Sequence, residues 1–421
     1  MRKVGYIIIL AALYCIALTI FSGRQWYSDT LSYIAAWDNS ISHLTIDKWR
    51  PPVYPLFIGA LKFCFGQYFL TAGVVVQHIV FLVSIWYFHK LTALVTSSEK
   101  IAFWVTAFYA LYPCVATWNC FVVTEPFTIY ATIFLLYFAY QVKCRQRVGD
   151  VLLFTFWLLF IIFLRPASMY MLPVFIVAWG MLFVSSSRQK RQSLWAAAGV
   201  LAVSACLLLY MYAFKQQYGI FSPSGIGVIN KYYIARLDGD IDPSKTDHQA
   251  LRAFVKESIA THGVKYSGGT DHDLYMETEE AIRIAGLTEV SQLVSRSQSI
   301  GTNIRRFFSR IHYAAGNRLF CTLLHKWRNL TDLFGLQLNT VYLLLIIYPL
   351  VVIPWMISRR RLAWFSSVLY MLGWSHLFVI LFACQNVWDR LILPAIPFYL
   401  LMFGQLMNSL KACVNREVKY L

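Results

Sequence analysis

Long apolar runs dominate this chain of 421 residues and decide what it can fold into. About 20 apolar residues wound as an α-helix are enough to cross the hydrocarbon core of a bilayer. About ten runs approach or reach that length: residues 4–21, 70–91, 101–118, 122–142, 151–164, 169–184, 194–214, 340–357, 362–383 and 391–410. With 58% hydrophobic and 14% charged residues, the composition excludes a soluble enzyme, a disordered chain and a disulfide scaffold. The sequence therefore predicts an all-α polytopic membrane protein.

The formal net charge of +17 indicates how the predicted spans are oriented. The polar stretch 215–337 holds 15 of the 37 Lys and Arg and 12 of the 20 Asp and Glu, so it carries +3 and the rest of the chain +14. With the N-terminus in the cytoplasm, the loops on that side and the C-terminal tail are net positive or neutral, as the positive-inside rule requires. We therefore expect both termini in the cytoplasm and no nucleic-acid partner.

Three parts follow from this topology: a membrane module of about seven spans (1–214), an external or periplasmic domain (215–337) and about three C-terminal spans (338–421). The first run is longer than a signal-peptide core and no A-x-A-like site follows it, which predicts an uncleaved helix. Leu251, Phe254, Val255 and Ile259 recur at helical spacing, so the external domain is predicted to be mainly helical. The nine cysteines show no disulfide or metal-site spacing.

Five of the eight acidic residues of the membrane part lie on the predicted external side, with basic residues near them. The acidic ones are Asp29, Asp38, Asp47, Glu125 and Asp389, and the basic ones are Arg24, Lys48, Arg50, Arg165 and Arg390. Charges near a bilayer are costly and tend to face a protein interior or a water-filled cavity, so this ring is a candidate site. Ordinary solvated loops are the alternative interpretation.

The first external loop, residues 23–69, is the most informative segment. Asp29 begins a predicted short interfacial helix, where it is either a functional carboxylate or a residue that stabilises the helix start. Three prolines in residues 51–55 predict a non-helical segment that holds Arg50 in a fixed conformation. A rigid Arg there suits a phosphate at headgroup level, with interfacial anchoring as the alternative.

Three further charges stand beside prolines or helix starts. Glu125 precedes Pro126 at the start of the fourth run, Arg165 precedes Pro166, and Asp389 precedes Arg390 before the last run. Proline and a carboxylate are both favourable in a first helical turn, so Glu125 has a structural explanation as well as a functional one. Asp389 is expected to pair with Arg390 rather than to act chemically.

Together these residues resemble the GT-C membrane glycosyltransferases, in particular the lipid A aminoarabinose transferases and protein O-mannosyltransferases. The resemblance covers roughly residues 1–214 and 340–410. The shared pattern consists of an acidic residue after the first span, Arg50-Pro51-Pro52-Val53-Tyr54-Pro55, Glu125-Pro126, Arg165-Pro166, and Asp389-Arg390 followed by Pro394 and Pro397.

The resemblance implies transfer of a sugar from a polyprenyl-phosphate carrier to a glycan, lipid or protein acceptor, with inversion at the anomeric carbon. It also implies that the reaction takes place on the external, periplasmic face of a bacterial inner membrane. It implies Asp29 as the general base and Arg390 as the first choice for the donor phosphate, followed by Arg50, Lys48 and Arg165. Tyr54, Glu125 and Asp389 would line or shape the cavity. No D-x-D element stands in the external loops of the predicted membrane part, so we expect no metal and no cofactor beyond the lipid-linked donor substrate.

Two other functions fit a polytopic basic chain. A polymerase or ligase of lipid-linked glycans would share the spans and the external arginines, but it would not need an isolated carboxylate after the first span. A transporter or flippase would more often show internal repeats and charges at mid-bilayer depth.

Overall fold

The fold was examined in a computed structural model that describes residues 2–22, 28–145, 147–299, 364–383 and 393–417, with 301, 304 and 391. Within these residues the protein is all-helical and contains no β-strand. This confirms the predicted fold class at that level. The predicted span 340–357 lies outside the described residues.

Fifteen α-helices, labelled here in chain order, make up the described part. They are α1 (Arg2–Ser22), α2 (Ser28–Asn39), α3 (Val53–Phe65), α4 (Phe69–Thr96), α5 (Glu99–Leu111), α6 (Pro113–Trp118), α7 (Thr124–Arg145), α8 (Val148–Leu164), α9 (Met171–Ser185), α10 (Lys190–Tyr218), α11 (Ile226–Asp238), α12 (Gln249–His262), α13 (Asp271–Ser297), α14 (Trp364–Ala383) and α15 (Ile396–Glu417).

Five helical segments of the described chain are long and apolar enough to cross a membrane. They are Lys3–Phe21, Val53–Thr96, Thr124–Arg145, Pro166–Ser185 and Lys190–Tyr218. Val148–Leu164 and Trp364–Ile380 are apolar but shorter. The protein therefore has the helices of a membrane protein, whereas the total of about ten spans and the orientation of the termini stay predictions.

One prediction about the first external loop was wrong. The three prolines of residues 51–55 were expected to exclude a regular helix, yet α3 begins at Val53 with Pro52 as its N-cap. Pro55 falls in the first turn of α3, where backbone N–H groups have no acceptor inside the helix, so the missing N–H of proline costs little.

Contacts at the two ends of the bundle separate the loops into two groups. At one end Thr30 Oγ1 donates to the Val122 carbonyl at 3.0 Å, and Tyr218 OH donates to the Ile46 carbonyl at 2.7 Å. At the opposite end Gln189 Nε2 donates to the Lys143 carbonyl at 3.2 Å. We call the first end, formed by residues 28–53, 122–125 and 165–170, the site end.

Helix α7 forms the centre of the bundle. Its apolar window is 78% buried, against 22% for that of α10. An apolar helix surface has to be covered by protein or by lipid. The neighbouring helices cover most of α7, whereas most of the apolar surface of α10 is not covered by protein and is suited to contact with lipid. Glu125 in the first turn and Lys143 and Arg145 in the last turn match the helix dipole.

Helices α11, α12 and α13 pack around a second apolar core. Its members include Val228, Tyr232, Leu251, Val255 and Val290. Phe214 of α10 belongs to the same core, and Ile46 and Trp49 of the first loop pack against it. The predicted external domain is therefore helical as far as it is described, and it is joined to the site end through these apolar contacts.

Arg236 holds these three helices together from inside. The residue is fully buried on α11, and its guanidinium donates to Glu277 Oε1 of α13 at 3.1 Å. The same group donates to the carbonyls of Ser258, Gly263 and Val264, each at 2.9 Å. Because a buried charge is costly without partners, this set of acceptors is what makes Arg236 tolerable in the core.

We expect Arg236→Met to lower the free energy of unfolding by about 3–5 kcal/mol, because the buried Glu277 carboxylate loses its counter-ion. The measurement is the thermal unfolding midpoint of the purified full chain in detergent. Arg283→Met is the matched control, since Arg283 pairs with Glu280 on the same helix α13 with 73% of its side chain exposed. An unchanged midpoint for Arg236→Met would contradict this assignment.

Candidate functional site

The site end is built on the packed pair α2 and α3. Gly59 of α3 lies directly against the ring of Trp37 of α2, and a Cβ at residue 59 would overlap that ring. Tyr33 of α2 and Tyr54 of α3 meet edge to face with ring centroids 4.6 Å apart. The two helices therefore approach closely and present the first turn of α2 beside the loop that precedes α3.

Asp29 and Arg50 form an ion pair at the start of α2. Arg50 Nη2 donates to Asp29 Oδ1 at 2.5 Å, and Arg50 Nε donates to Ser32 Oγ at 2.8 Å. The guanidinium also lies over the ring of Tyr33, 4.4 Å from its centroid. Asp29 and Arg50 are separate candidates in the sequence, and the structure brings them into direct contact.

Asp47 fixes the backbone that carries Arg50. Its Oδ1 accepts from the N–H groups of Trp49 at 2.8 Å and of Arg50 at 2.7 Å, and its Oδ2 accepts from Ser40 Oγ at 3.1 Å. A carboxylate that accepts two successive backbone N–H groups makes a tight turn. Asp47 therefore has a structural role and presents the Arg50 side chain toward Asp29.

A second ion pair lies deeper at the same end. Arg165 Nη1 donates to Glu125 Oε1 at 3.0 Å, and Glu125 is fully buried. Thr124 Oγ1 lies 3.5 Å from Glu125 Oε2 and 3.3 Å from the hydroxyl of Tyr33, to which Arg50 Nη1 donates at 3.3 Å. One line of polar contacts thus joins the two ion pairs, which we call the polar line (Asp29, Arg50, Tyr33, Thr124, Glu125 and Arg165).

The polar line ends beside a histidine of α14. His376 Nδ1 lies 2.9 Å from the Tyr170 hydroxyl, and its Nε2 lies 2.9 Å from the Leu391 carbonyl. Arg165 is close enough to both Tyr170 and His376 to act on them electrostatically. Helices α8, α9 and α14 therefore converge on the Arg165 end of the line.

The remaining predicted residues fall in different places. Lys48 Nζ lies 4.6 Å from the Trp49 ring centroid, and partial burial lowers the pKa of Lys48 while the nearby Glu279 carboxylate opposes the shift. Tyr54 is fully buried and donates to Gln77 Oε1 at 3.1 Å, and its ring packs against that of Tyr33. Asp389 and Arg390 lie outside the described residues.

Two residues near the site end that were not among the candidates, Tyr275 and Glu279, come from α13. Tyr275 of α13 lies within electrostatic range of both Asp29 and Arg50, and it is hydrogen-bonded to Glu279 one turn later. Burial, together with the Glu279 carboxylate, raises the pKa of Tyr275 to about 12, so its phenol keeps its proton at neutral pH. Nothing in the local sequence distinguishes Tyr275, because its proximity to Asp29 depends on how distant parts of the chain pack.

The arrangement places one accessible carboxylate beside fixed cations. Asp29, Arg50, Glu125 and Arg165 together carry no net charge, which keeps their cost low at the edge of an apolar bundle. Asp29 is the more accessible carboxylate, with 18% of its side chain exposed against none for Glu125. Asp29 is therefore the carboxylate of the polar line that an acceptor group could reach.

No converging group of three His, Cys, Asp or Glu side chains suited to a metal ion occurs in the part of the chain that the structure describes. Comparison with models of known protein families finds no match to this chain, and comparison with curated proteins likewise finds none.

Proposed function

We propose that the protein is a membrane glycosyltransferase that moves a sugar from a polyprenyl-phosphate carrier to an acceptor hydroxyl. The observation that carries the proposal is the contact of Asp29 with Arg50 at the site end, on the same polar line as Glu125 and Arg165. It puts a reachable carboxylate next to fixed guanidinium groups, and these are the two kinds of group that the transfer needs.

In the proposed reaction Asp29 takes the proton from the acceptor hydroxyl as its oxygen attacks the anomeric carbon. The bond between that carbon and the phosphate oxygen breaks, and the polyprenyl phosphate leaves with the electron pair. One displacement inverts the anomeric centre and needs no second carboxylate as a nucleophile. The Arg50 guanidinium stabilises the negative charge of Asp29 and holds its orientation.

Cations have to balance the charge that develops on the leaving phosphate. Arg50 and Arg165 are each hydrogen-bonded to a carboxylate that balances part of their positive charge, so further cations are needed at the phosphate. We assign the phosphate first to Arg390, with Lys48 next and the remaining N–H groups of Arg50 and Arg165 completing the site. We further propose that the reaction takes place on the periplasmic face of a bacterial inner membrane.

Two alternative functions, a polymerase or ligase of lipid-linked glycans and a transporter, differ from this proposal in what they require of Asp29. A polymerase or ligase of lipid-linked glycans would use the arginines without requiring Asp29 as a base. A transporter would move its substrate without forming a glycosidic bond. Substitution of Asp29 separates these functions.

We expect Asp29→Asn to reduce sugar transfer by about 10²–10⁴-fold, the usual contribution of a general base, because an amide accepts a hydrogen bond but takes up no proton at neutral pH. The assay follows radiolabel from a pool of polyprenyl-phosphate-linked sugars into product in membranes that contain the protein. Asp38→Asn is the matched control: Asp38 also lies on α2 and also pairs with a cation, Lys62 at 2.6 Å. A wild-type rate for Asp29→Asn would overturn the assignment of the base.

We expect Arg390→Ala to weaken binding of a polyprenyl monophosphate by about 10- to 100-fold, the contribution of a hydrogen bond to a charged group. Native mass spectrometry of the protein in nanodiscs measures the bound lipid. Arg360→Ala, in the loop predicted to face the cytoplasm, is the control that should leave binding unchanged. The reverse result would place the lipid head on the other face and refute the mechanism.

Transfer is also expected to continue at an unchanged rate in excess EDTA, because arginines rather than a divalent ion are assigned to the phosphate. The same radiolabel assay with and without chelator measures this. Loss of activity that added Mg²⁺ or Mn²⁺ restores would show that a metal takes part.

A further inference from the structure

The segment Ile46–Arg50, here called the bridge segment, is held from two sides. One side is the membrane part. The other consists of helices α11–α13, here called the external helices after their predicted position, and of the residues 217–225 that lead into them. The Ile46 carbonyl accepts from the Tyr218 hydroxyl at 2.7 Å and from Gln217 Nε2 at 3.3 Å. The Lys48 carbonyl accepts from the N–H of Gly225, just before α11, at 2.8 Å. Residues at the end of α10 and just before α11 therefore bind this segment by hydrogen bonds to two of its backbone carbonyl groups.

Packing reinforces these hydrogen bonds. Ile46 and Trp49 lie against the apolar core of α11–α13. A Cβ at residue 225 would come within 2.7 Å of Trp49 Cζ3 and 2.8 Å of the Lys48 carbonyl oxygen, closer than van der Waals contact allows. Gly225 has ordinary helical backbone angles (φ −73°), so the absence of a side chain there serves this close approach rather than an unusual turn.

The hydrogen-bonded residues Ile46 and Lys48 lie just before Arg50, which forms the ion pair with Asp29. Lys48 and Arg50 are separated by one residue, and Asp47 binds the N–H groups of both Trp49 and Arg50, so the backbone between them is fixed. Arg50 in turn binds Asp29 and Ser32 on α2. A displacement of the bridge segment by the external helices therefore moves the partner of Asp29.

We propose that the external helices and the residues 217–225 that lead into them position the Asp29–Arg50 pair through the bridge segment, with Gly225, Trp49 and Tyr218 as positioning residues. The effect on turnover rests on the proposed function, whereas the mechanical coupling does not. Misplacing a reacting group by about 1 Å costs up to about 10²-fold in rate, so a small shift of Arg50 is enough to be measured.

The test uses Gly225→Ala in the full-length protein, with Gly227→Ala as the matched control, because a Cβ at residue 227 meets nothing within 4 Å. Hydrogen–deuterium exchange reports on residues 28–39 and on the Trp49 and Arg50 amides that Asp47 protects. We expect Gly225→Ala to speed exchange there by about 2- to 10-fold, the range that one hydrogen bond contributes, and Gly227→Ala to leave it unchanged. Faster exchange confined to residues near 225 would overturn the proposal.

Tyr218→Phe provides a milder variant if Gly225→Ala does not fold. It removes the hydroxyl that binds Ile46 and keeps the ring that packs on Phe214. Tyr212→Phe, at an exposed position on the same helix, is its control. The same pattern of faster exchange at residues 28–50 supports the coupling, and an unchanged pattern refutes it.

The radiolabel assay then tests the catalytic consequence. We expect Gly225→Ala to lower kcat by about 10- to 100-fold and to change the KM of the donor less, because Arg390, the first residue assigned to the phosphate, is not part of the bridge segment. Coupled exchange with an unchanged kcat would refute a positioning role. If the wild type transfers no sugar while the exchange effect is present, the proposed function fails and the mechanical coupling stands.

Discussion

The ion pair between Arg50 and Asp29 is the contact on which the geometry of the site end depends. A carboxylate and a guanidinium at the edge of an apolar bundle are each costly alone, and the cost falls when they share one hydrogen-bonded geometry. Arg50 meets this requirement with donors to Asp29, Ser32 and Tyr33, all on α2. Because its backbone is fixed by Asp47, the pair ties the loop before α3 to the first turn of α2. The hydrogen bonds that stabilise the charges of Arg50 and Asp29 thus also fix the orientation of Asp29, the proposed base.

The same constraint recurs twice in the described part of the protein. Glu125 and Arg165 pair between α7 and the end of α8, and Glu277 and Arg236 pair between α13 and α11. In each case a fully buried residue faces an opposite charge on another helix, so the pair fixes how the two helices meet. Exposed pairs such as Glu280 with Arg283 are screened by solvent and fix little. Whether an ion pair fixes the packing of two helices therefore depends on how deeply it is buried.

Position in the polar line assigns different roles to residues that look alike in sequence. Asp29 and Asp38 both lie on α2, and both pair with a cation. Only Asp29 is connected through Arg50 and Tyr33 to the deeper pair at Glu125. Asp47 is acidic and lies in the same loop, yet its oxygens are used to hold a turn. The role proposed for Asp29 thus follows from its hydrogen-bonded connection to the other charged residues of the polar line. Helices α11–α13 take part as well, because Ile46 and Trp49 of the segment that carries Arg50 pack against their core.

The sequence by itself determined the helical class, several helix starts and most of the candidate residues, because run length, proline position and charge at helix ends are local properties. It predicted a helix at Asp29 and a helix start at Glu125, and both are present. It failed at the prolines of residues 51–55, where only the register of α3 reveals that Pro55 lies in a first turn. The tertiary structure alone decided the pairings, since Asp29 and Arg50 are 21 residues apart and Glu125 and Arg165 are 40 apart. It also decided the approach of Tyr275 and Gly225 to the first loop, because such contacts depend on how the helices pack, and no local pattern encodes that.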